Sequence, residues 1–408
     1  MVAASRAAAE AQHRHAYSAA AGYYAAALAV AGDDPAVACR LRLEHAWALW
    51  RAGEMARAQE TFRAAASAAV AAGRPDLAGH AVFGAAGHGP SLGFCDARLA
   101  GELAGAVSAL AHADPFRPRL LARLGSELAG APDPAAAARC RDAVALAESQ
   151  GDPCTVSYAL NCLNWASLAD AADRDGLARA ERMIETSVLL SDRHMELEGR
   201  MWRCTFLLRA GRLDEVPVEA AMLAEGAAAL RQPFFLRLPP RLRMCVAMIE
   251  GRHDEAESLA AEIYPAERRA HPRDAETHRL LRDVALAHAR GRWPDLRRQL
   301  AGQRSPHWTA VRAVFLAAGD RVAAAAKALG PVLADDAAAL RHNALAPFVG
   351  ALVARACATD RRLAARVDIA AVRALLRPWA GAHAVAGCAV ASLGPVDDYV
   401  TALDGLPS

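Results

Sequence analysis

The stretch Trp47-Ala48-Leu49-Trp50-Arg51-Ala52-Gly53-Glu54-Met55-Ala56-Arg57-Ala58, followed by Phe62 and Ala65, carries the fold in miniature. An apolar helical run stops at Gly53, a residue type that tolerates φ > 0 just past a helix end. A second run starts at once, with small or apolar residues at 55, 58, 62 and 65, the spacing of one helix face. The same signal recurs in Phe206-Leu207-Leu208-Arg209-Ala210-Gly211-Arg212, in Val246-Ala247-Met248-Ile249-Glu250-Gly251-Arg252, and in Leu286-Ala287-His288-Ala289-Arg290-Gly291-Arg292. A shorter step brings Phe315-Leu316-Ala317-Ala318-Gly319-Asp320. Gly211, Gly251 and Gly291 are 40 residues apart, and Gly53 lies close to four such periods before Gly211. Turn signals at 89–93, 130–134 and 170–176 fall near the missing positions. A second set of breaks falls midway, at 32–35, 73–76, 114–118, 151–153, 191–194, 232–240, 265–273 and 305–306.

Two turns per period of about 40 residues predict two helices per repeat, each roughly four turns long. A lone helix pair cannot bury its apolar face, so pairs stack around a continuous core. The expected fold is all-α: a tetratricopeptide-like α-solenoid, a right-handed superhelix of helix pairs. Its expected divisions are N-terminal capping helices (1–34), the repeat array (35–374) and a C-terminal cap (375–408).

Composition agrees. Of 408 residues, 54% are hydrophobic but only 5% aromatic, with Ala and Leu preferred over Ile, which argues against a β-sandwich or barrel. The apolar content and a net charge of +2 argue against disorder. With 47 basic against 45 acidic residues, no global basic field points to nucleic acid. Lys327 is the only lysine, a bias that reads as GC-rich coding rather than bidentate anion recognition. Nine cysteines, an odd and unclustered set without a CxxC pair, read as buried thiols in a reducing compartment, so a cytoplasmic location is expected. Residues 18–31 are uncharged and end like a signal-peptide tail, but they are Ala-rich and follow Arg6, Glu10 and Arg14 at ordinary helix-face spacing. Residues 384–393 are apolar yet about half the length that spans a bilayer, so no transmembrane helix is expected.

Ala46, Gly53, Ala58, Phe62 and Ala65 follow the spacing of the tetratricopeptide consensus. The wider pattern, in residues 41–84, 120–163 and 249–259, resembles the helical-repeat region of large bacterial, typically actinobacterial, ATP-binding regulators with LuxR-type DNA-binding domains. The tail from Leu375-Leu376-Arg377-Pro378-Trp379 to Asp398-Tyr399 resembles the end of that region. The resemblance covers about 35 to 404 and implies a regulatory or specialised-metabolism setting. There is no GxxxxGK[ST] phosphate loop, and the sequence runs only to Ser408, so the ATPase and DNA-binding modules are not expected.

Gly89-Pro90-Ser91-Leu92-Gly93 spells GxSxG, with His88, Cys95 and Asp96 nearby, but a nucleophile elbow needs a strand before it and residues 77–86 read as a helix. His13 and His15 cannot share a helix face, and the spacings of His271, His278 and His288 form no metal set. No metal or cofactor is expected. Position in the repeat is the better lead, because the first helix of each pair lines the groove of such arrays. That register places Arg40, Leu43, Trp47 and Trp50 on the groove, then Leu238, Arg241, Cys245 and Met248, then His278, Leu281, Ala285 and His288. Asn161, Asn164, Trp165 and Leu168 take comparable positions. Trp47 and Trp50 are candidates for an aromatic wall, the alternative being packing between repeats. Phe234 and Phe235, in the irregular connector 232–240, either reach into the groove or cap a repeat. The leading expectation is a non-enzymatic binding module that holds a protein or peptide partner in its concave groove, with no direct contact to nucleic acid or membrane. The alternative is a small-molecule site inside the superhelix, as sensor or repurposed biosynthetic enzyme, with Asn161, Arg241, His278 and His288 as its polar residues.

Overall fold

The computed structural model describes residues 1–406 except 33, 88, 91, 93, 132, 134, 271–273, 292–295, 301, 302, 304 and 342. The chain runs through α1 (Val2–His13), α2 (Tyr17–Ala29), α3 (Pro35–Arg51), α4 (Met55–Ala71), α5 (Pro75–Ala85), α6 (Ala97–Ala109), α7 (Arg117–Leu128) and α8 (Ala136–Ser149). It continues through α9 (Pro153–Ser167), α10 (Gly176–Leu189), α11 (Arg193–Arg209), α12 (Val216–Leu230), the one-turn α13 (Pro233–Leu236), α14 (Leu238–Ile249), α15 (His253–Ala270) and α16 (Ala275–Arg290). Then come α17 (Arg297–Leu300), α18 (Pro306–Ala318), α19 (Val322–Arg341), α20 (Ala346–Thr359), α21 (Arg361–Ala364), α22 (Ile369–Leu376), a hairpin of β1 (His383–Ala386) and β2 (Ala391–Pro395), and α23 (Val396–Leu403).

Local chemistry accounts for the boundaries. Asp34, Asp96, Asp152, Asp192, Ser305 and Asp368 each accept a backbone N–H from the first turn of the helix that follows, meeting donors that have no intrahelical partner. Proline stands in the first turn of α3, α5, α9 and α18, where a missing N–H removes nothing. Gly53, Gly211, Gly251 and Gly291 have φ of 81°, 69°, 75° and 61°, as the sequence demands of residues that end one helix and admit the next.

Neighbouring helices pack in order, an arrangement consistent with an α-solenoid. The first helices of successive pairs, α3, α5, α7, α9, α11 and α14, also touch one another, which makes them one row. Small residues permit close approach between the rows: Ala46, Ala58, Ala65 and Ala81 are fully buried. Gly84 lies directly against the Phe62 ring, and a Cβ there would collide with it. Residues 18–31 fall largely in α2, whose Ala20, Ala21, Tyr24 and Ala27 are buried. No described helix is long and apolar enough to cross a membrane. All nine cysteines are free.

The departure from an all-helical expectation is the hairpin. Residues 384–393, read from the sequence only as a short apolar run, pair as antiparallel strands with Val385 opposite Ser392 and Ala386 opposite Ala391. The hairpin packs on α11, α14, α16 and α20, of which α11 and α14 belong to that row, so it covers the row's C-terminal end. Arg241 Nη2 donates to the Cys388 carbonyl at 2.8 Å, and Cys245 Sγ donates to the Ala389 carbonyl at 3.2 Å. Backbone oxygens of the buried tip thereby gain partners that a two-stranded ladder cannot supply.

Candidate functional site: an aromatic cavity on the first-helix row

Nearer the N-terminus the same row, together with Gln12 and Tyr17 of the first two helices and Leu230 and Gln232 at the end of α12, borders an open cavity of about 790 Å³, within the size range of small-molecule sites. It is lined by side chains from α3, α5, α9 and α11, with Phe116 and Arg119 at the start of α7. Its wall is a chain of rings. Trp47 meets Trp50 edge-on at 5.5 Å and Phe83 at 6.2 Å. Phe83 meets Tyr158 at 5.1 Å and Phe116 at 5.3 Å, and His80 stacks on Phe116 at 3.7 Å. At the other end Trp50 lies 5.6 Å from the His194 ring. Trp47, Phe83, Phe116 and Tyr158 are only half-buried, and all four border the cavity.

The polar groups are held by the same helices. Asn161 on α9 is buried and accepts a hydrogen bond from Trp202 Nε1 on α11. Asp192 caps α11 through the Met195 N–H. In the first turn of α11 and one turn further on, His194 and Glu198 place Nε2 and Oε1 3.9 Å apart. Burial pushes the His194 imidazole down to about 4, and burial pushes the Glu198 carboxyl up to about 8 against the opposing charge of Arg237. At neutral pH the pair is therefore a neutral imidazole beside a protonated carboxyl. Cys154, also in the lining, has its thiol pushed up by burial and so lacks the thiolate character of an activated nucleophile.

Trp47, Trp50 and Asn161, three of the residues singled out by register, thus meet in one cavity. Trp165, Arg241 and His278 meet in another, a closed space of about 20 Å³ beneath the hairpin tip at Cys388 and Val390, with room for about one water. Beside it Glu267, fully buried, lies 2.8 Å from Arg282, 3.3 Å from His278, 3.5 Å from Arg237 and 3.7 Å from Arg241. Burial alone would raise the Glu267 carboxyl; the hydrogen bond and charge from His278, with the charges of Arg282 and Arg237, hold it well below the usual carboxylate range. Arg241 and His278 are in this way engaged by Glu267 and the hairpin.

Asn164 is turned to the second row, accepting from Arg179 Nε at 2.8 Å with its amide 3.5 Å from Met183 Sδ. His288 Nε2 sits 3.0 Å from the Tyr399 hydroxyl and borders a separate cavity with Arg355 and Asp360. Phe234 lines the small cavity, and Phe235 packs against the His194 ring at 4.9 Å. Ser91, Gly93 and His88 of the GxSxG stretch, and His271, lie outside the described residues. The element before that stretch is α5, a helix, and Asp96 caps α6. No group of three His, Cys, Asp or Glu among the described residues is placed to hold a metal. Phe83, His194 and Glu198 lie in α5 and the first half of α11, where the register was not extended, and Tyr158 lies in α9 just before Asn161, where the register began. A His and a Glu one turn apart in an otherwise apolar first helix were the available signal. Compared with known proteins, the chain matches no family model and no curated protein.

Proposed function

We propose that the protein is a tetratricopeptide-like binding module that holds a small molecule of a few hundred daltons in the aromatic cavity, acting as a ligand sensor. The observation that carries this reading is the cavity itself: about 790 Å³, walled by Trp47, Trp50, Phe83 and Tyr158, with Asn161 and Glu198 as buried polar groups. Large apolar walls with a few converging polar groups are the common form of a small-molecule site. The sequence resemblance to repeat regions of bacterial regulators agrees with a sensing role in regulation or specialised metabolism. The protein-partner reading has one observation on its side, since the first-helix row already accommodates a polypeptide segment, the hairpin. That segment belongs to the chain itself and covers α14 and α16, which weakens the case for a partner lying along the whole row.

The test is to purify the protein from a bacterial host extract, release bound metabolites by denaturation, and identify them by mass spectrometry. A stoichiometric metabolite that Trp47→Ala loses, with helical circular dichroism intact, is the expected result. A protein partner retained through Trp47 with no metabolite would overturn the reading.

A further inference from the structure

Five of the charged side chains around the aromatic cavity are already engaged by the protein. Arg51 donates to Gln12 at 3.2 Å, Arg119 to Thr155 at 2.8 Å, and Arg193 pairs with Glu196 at 2.7 Å. Asp192 caps α11, and Glu44 takes a hydrogen bond from Tyr24. Glu198 differs. It is 2% exposed, borders the cavity, and among the described residues its carboxyl has no hydrogen-bond partner. Its nearest basic neighbour is His194 Nε2 at 3.9 Å, a neutral imidazole at ordinary pH. An ionised carboxylate buried there without a close counter-charge is unfavourable, so the free site keeps Glu198 protonated against the pull of Arg237, and an arriving cation is what would let it ionise. The rings that line the same cavity, Trp47, Trp50, Phe83 and Tyr158, carry electron-rich faces of the kind that attract cations and not anions.

We infer that the cavity takes a ligand carrying a protonated amine, with the ammonium against the Glu198 carboxylate and the body of the ligand on the belt of Trp47, Trp50, Phe83 and Tyr158. This rests on the small-molecule reading above and narrows it to organic amines. An anionic ligand would meet the Glu198 carboxylate and would have to displace Arg51, Arg119 or Arg193 from existing partners. A neutral ligand would meet the protonated carboxyl as a hydrogen-bond partner and displace no proton, which separates it from the amine in the experiment below.

Binding is then coupled to a proton. The free protein holds Glu198 protonated up to about pH 8, and an ammonium stabilises the ionised form, so the carboxyl gives up its proton as the amine arrives. The groups that face Glu198 are His194 on its own helix, Cys162 on α9 and Arg237 ahead of α14. Burial sets the Cys162 thiol at about 11, the Arg237 guanidinium at about 10 and the His194 imidazole at about 4. Of these four groups, Glu198 is the one that titrates near neutrality.

The experiment is calorimetric titration with three probes of one shape: 2-phenylethylammonium, 2-phenylethanol and phenylacetate. It is run across the range from roughly pH 6 to 9 and in buffers of different ionisation enthalpy. The ammonium is expected to bind best, to release close to one proton per molecule at the acid end, and to gain nearly tenfold in affinity per pH unit below about 8. Glu198→Gln should weaken it at least about tenfold and remove the proton release. Ammonium binding without pH dependence, or phenylacetate bound as tightly, would overturn the inference, and the proton count on the unaltered protein decides this even if the variant does not fold. If the alcohol or the acid binds in a Trp47-dependent way and the ammonium does not, the amine inference fails and the small-molecule reading stands. If none of the three binds, both fall.

Discussion

Replacing Glu198 by Gln is expected to stabilise the unliganded protein near pH 7.5 and to leave its stability unchanged near pH 4.5. The carboxyl ionises at its ordinary 4.5 when the chain is unfolded and at about 8 when folded. Its folded pKa is raised, so its contribution to stability is full below 4.5 and is lost as pH climbs toward 8. Each pH unit in that window removes about 1.4 kcal/mol, and the three units up to pH 7.5 remove about 4 kcal/mol. Glu198 is 2% exposed, so solvent screening takes little from that figure. The amide has the shape of the carboxyl but cannot ionise, and no hydrogen bond to Glu198 is broken by the change. Thermal unfolding of both proteins, followed by circular dichroism near pH 4.5, 6 and 7.5, is the assay. The variant should unfold several degrees above the parent near pH 7.5, on the order of 5 °C, with the gap closing toward acid pH. Parallel curves with a constant offset would refute the reasoning, because they would mean that Glu198 is ionised or protonated alike in both states.

His194 should act with the opposite slope. Burial lowers its pKa from 6.5 to about 4, so stability present above 6.5 is lost as pH falls through that window, and His194→Gln should remove roughly 3 kcal/mol of acid sensitivity in the same unfolding series. Glu267→Gln would leave Arg237, Arg241 and Arg282 without their shared carboxylate; a loss of about 3–5 kcal/mol in urea denaturation is expected, with faster proteolysis at the hairpin tip that Arg241 anchors. Gly84→Ala forces a methyl group into the Phe62 ring, which lies 4.9 Å from Trp47; about 1–3 kcal/mol of destabilisation should accompany a shift in tryptophan fluorescence.

The helices and their order were legible in the sequence because short-range chemistry makes them. Gly53, Gly211, Gly251 and Gly291 take φ > 0, and Asp34, Asp152 and Asp192 satisfy first-turn N–H groups. Each effect acts within a few residues, so each can be read without knowing what lies across the molecule. Register on the first helices went one step further and brought Trp47, Trp50 and Asn161 to a common cavity, since a repeated helix pair turns the same face inward each time. The hairpin lay beyond that kind of reading. Residues 384–393 show neither helical spacing nor clean alternation, and they become strands only by pairing with each other while Arg241 and Cys245, distant in sequence, meet the tip's carbonyls. The site's chemistry was decided in the same non-local way. Glu198 is an ordinary glutamate in the sequence; burial holds its proton against the lowering charge of Arg237, and burial is a property of the packed chain rather than of any segment in it.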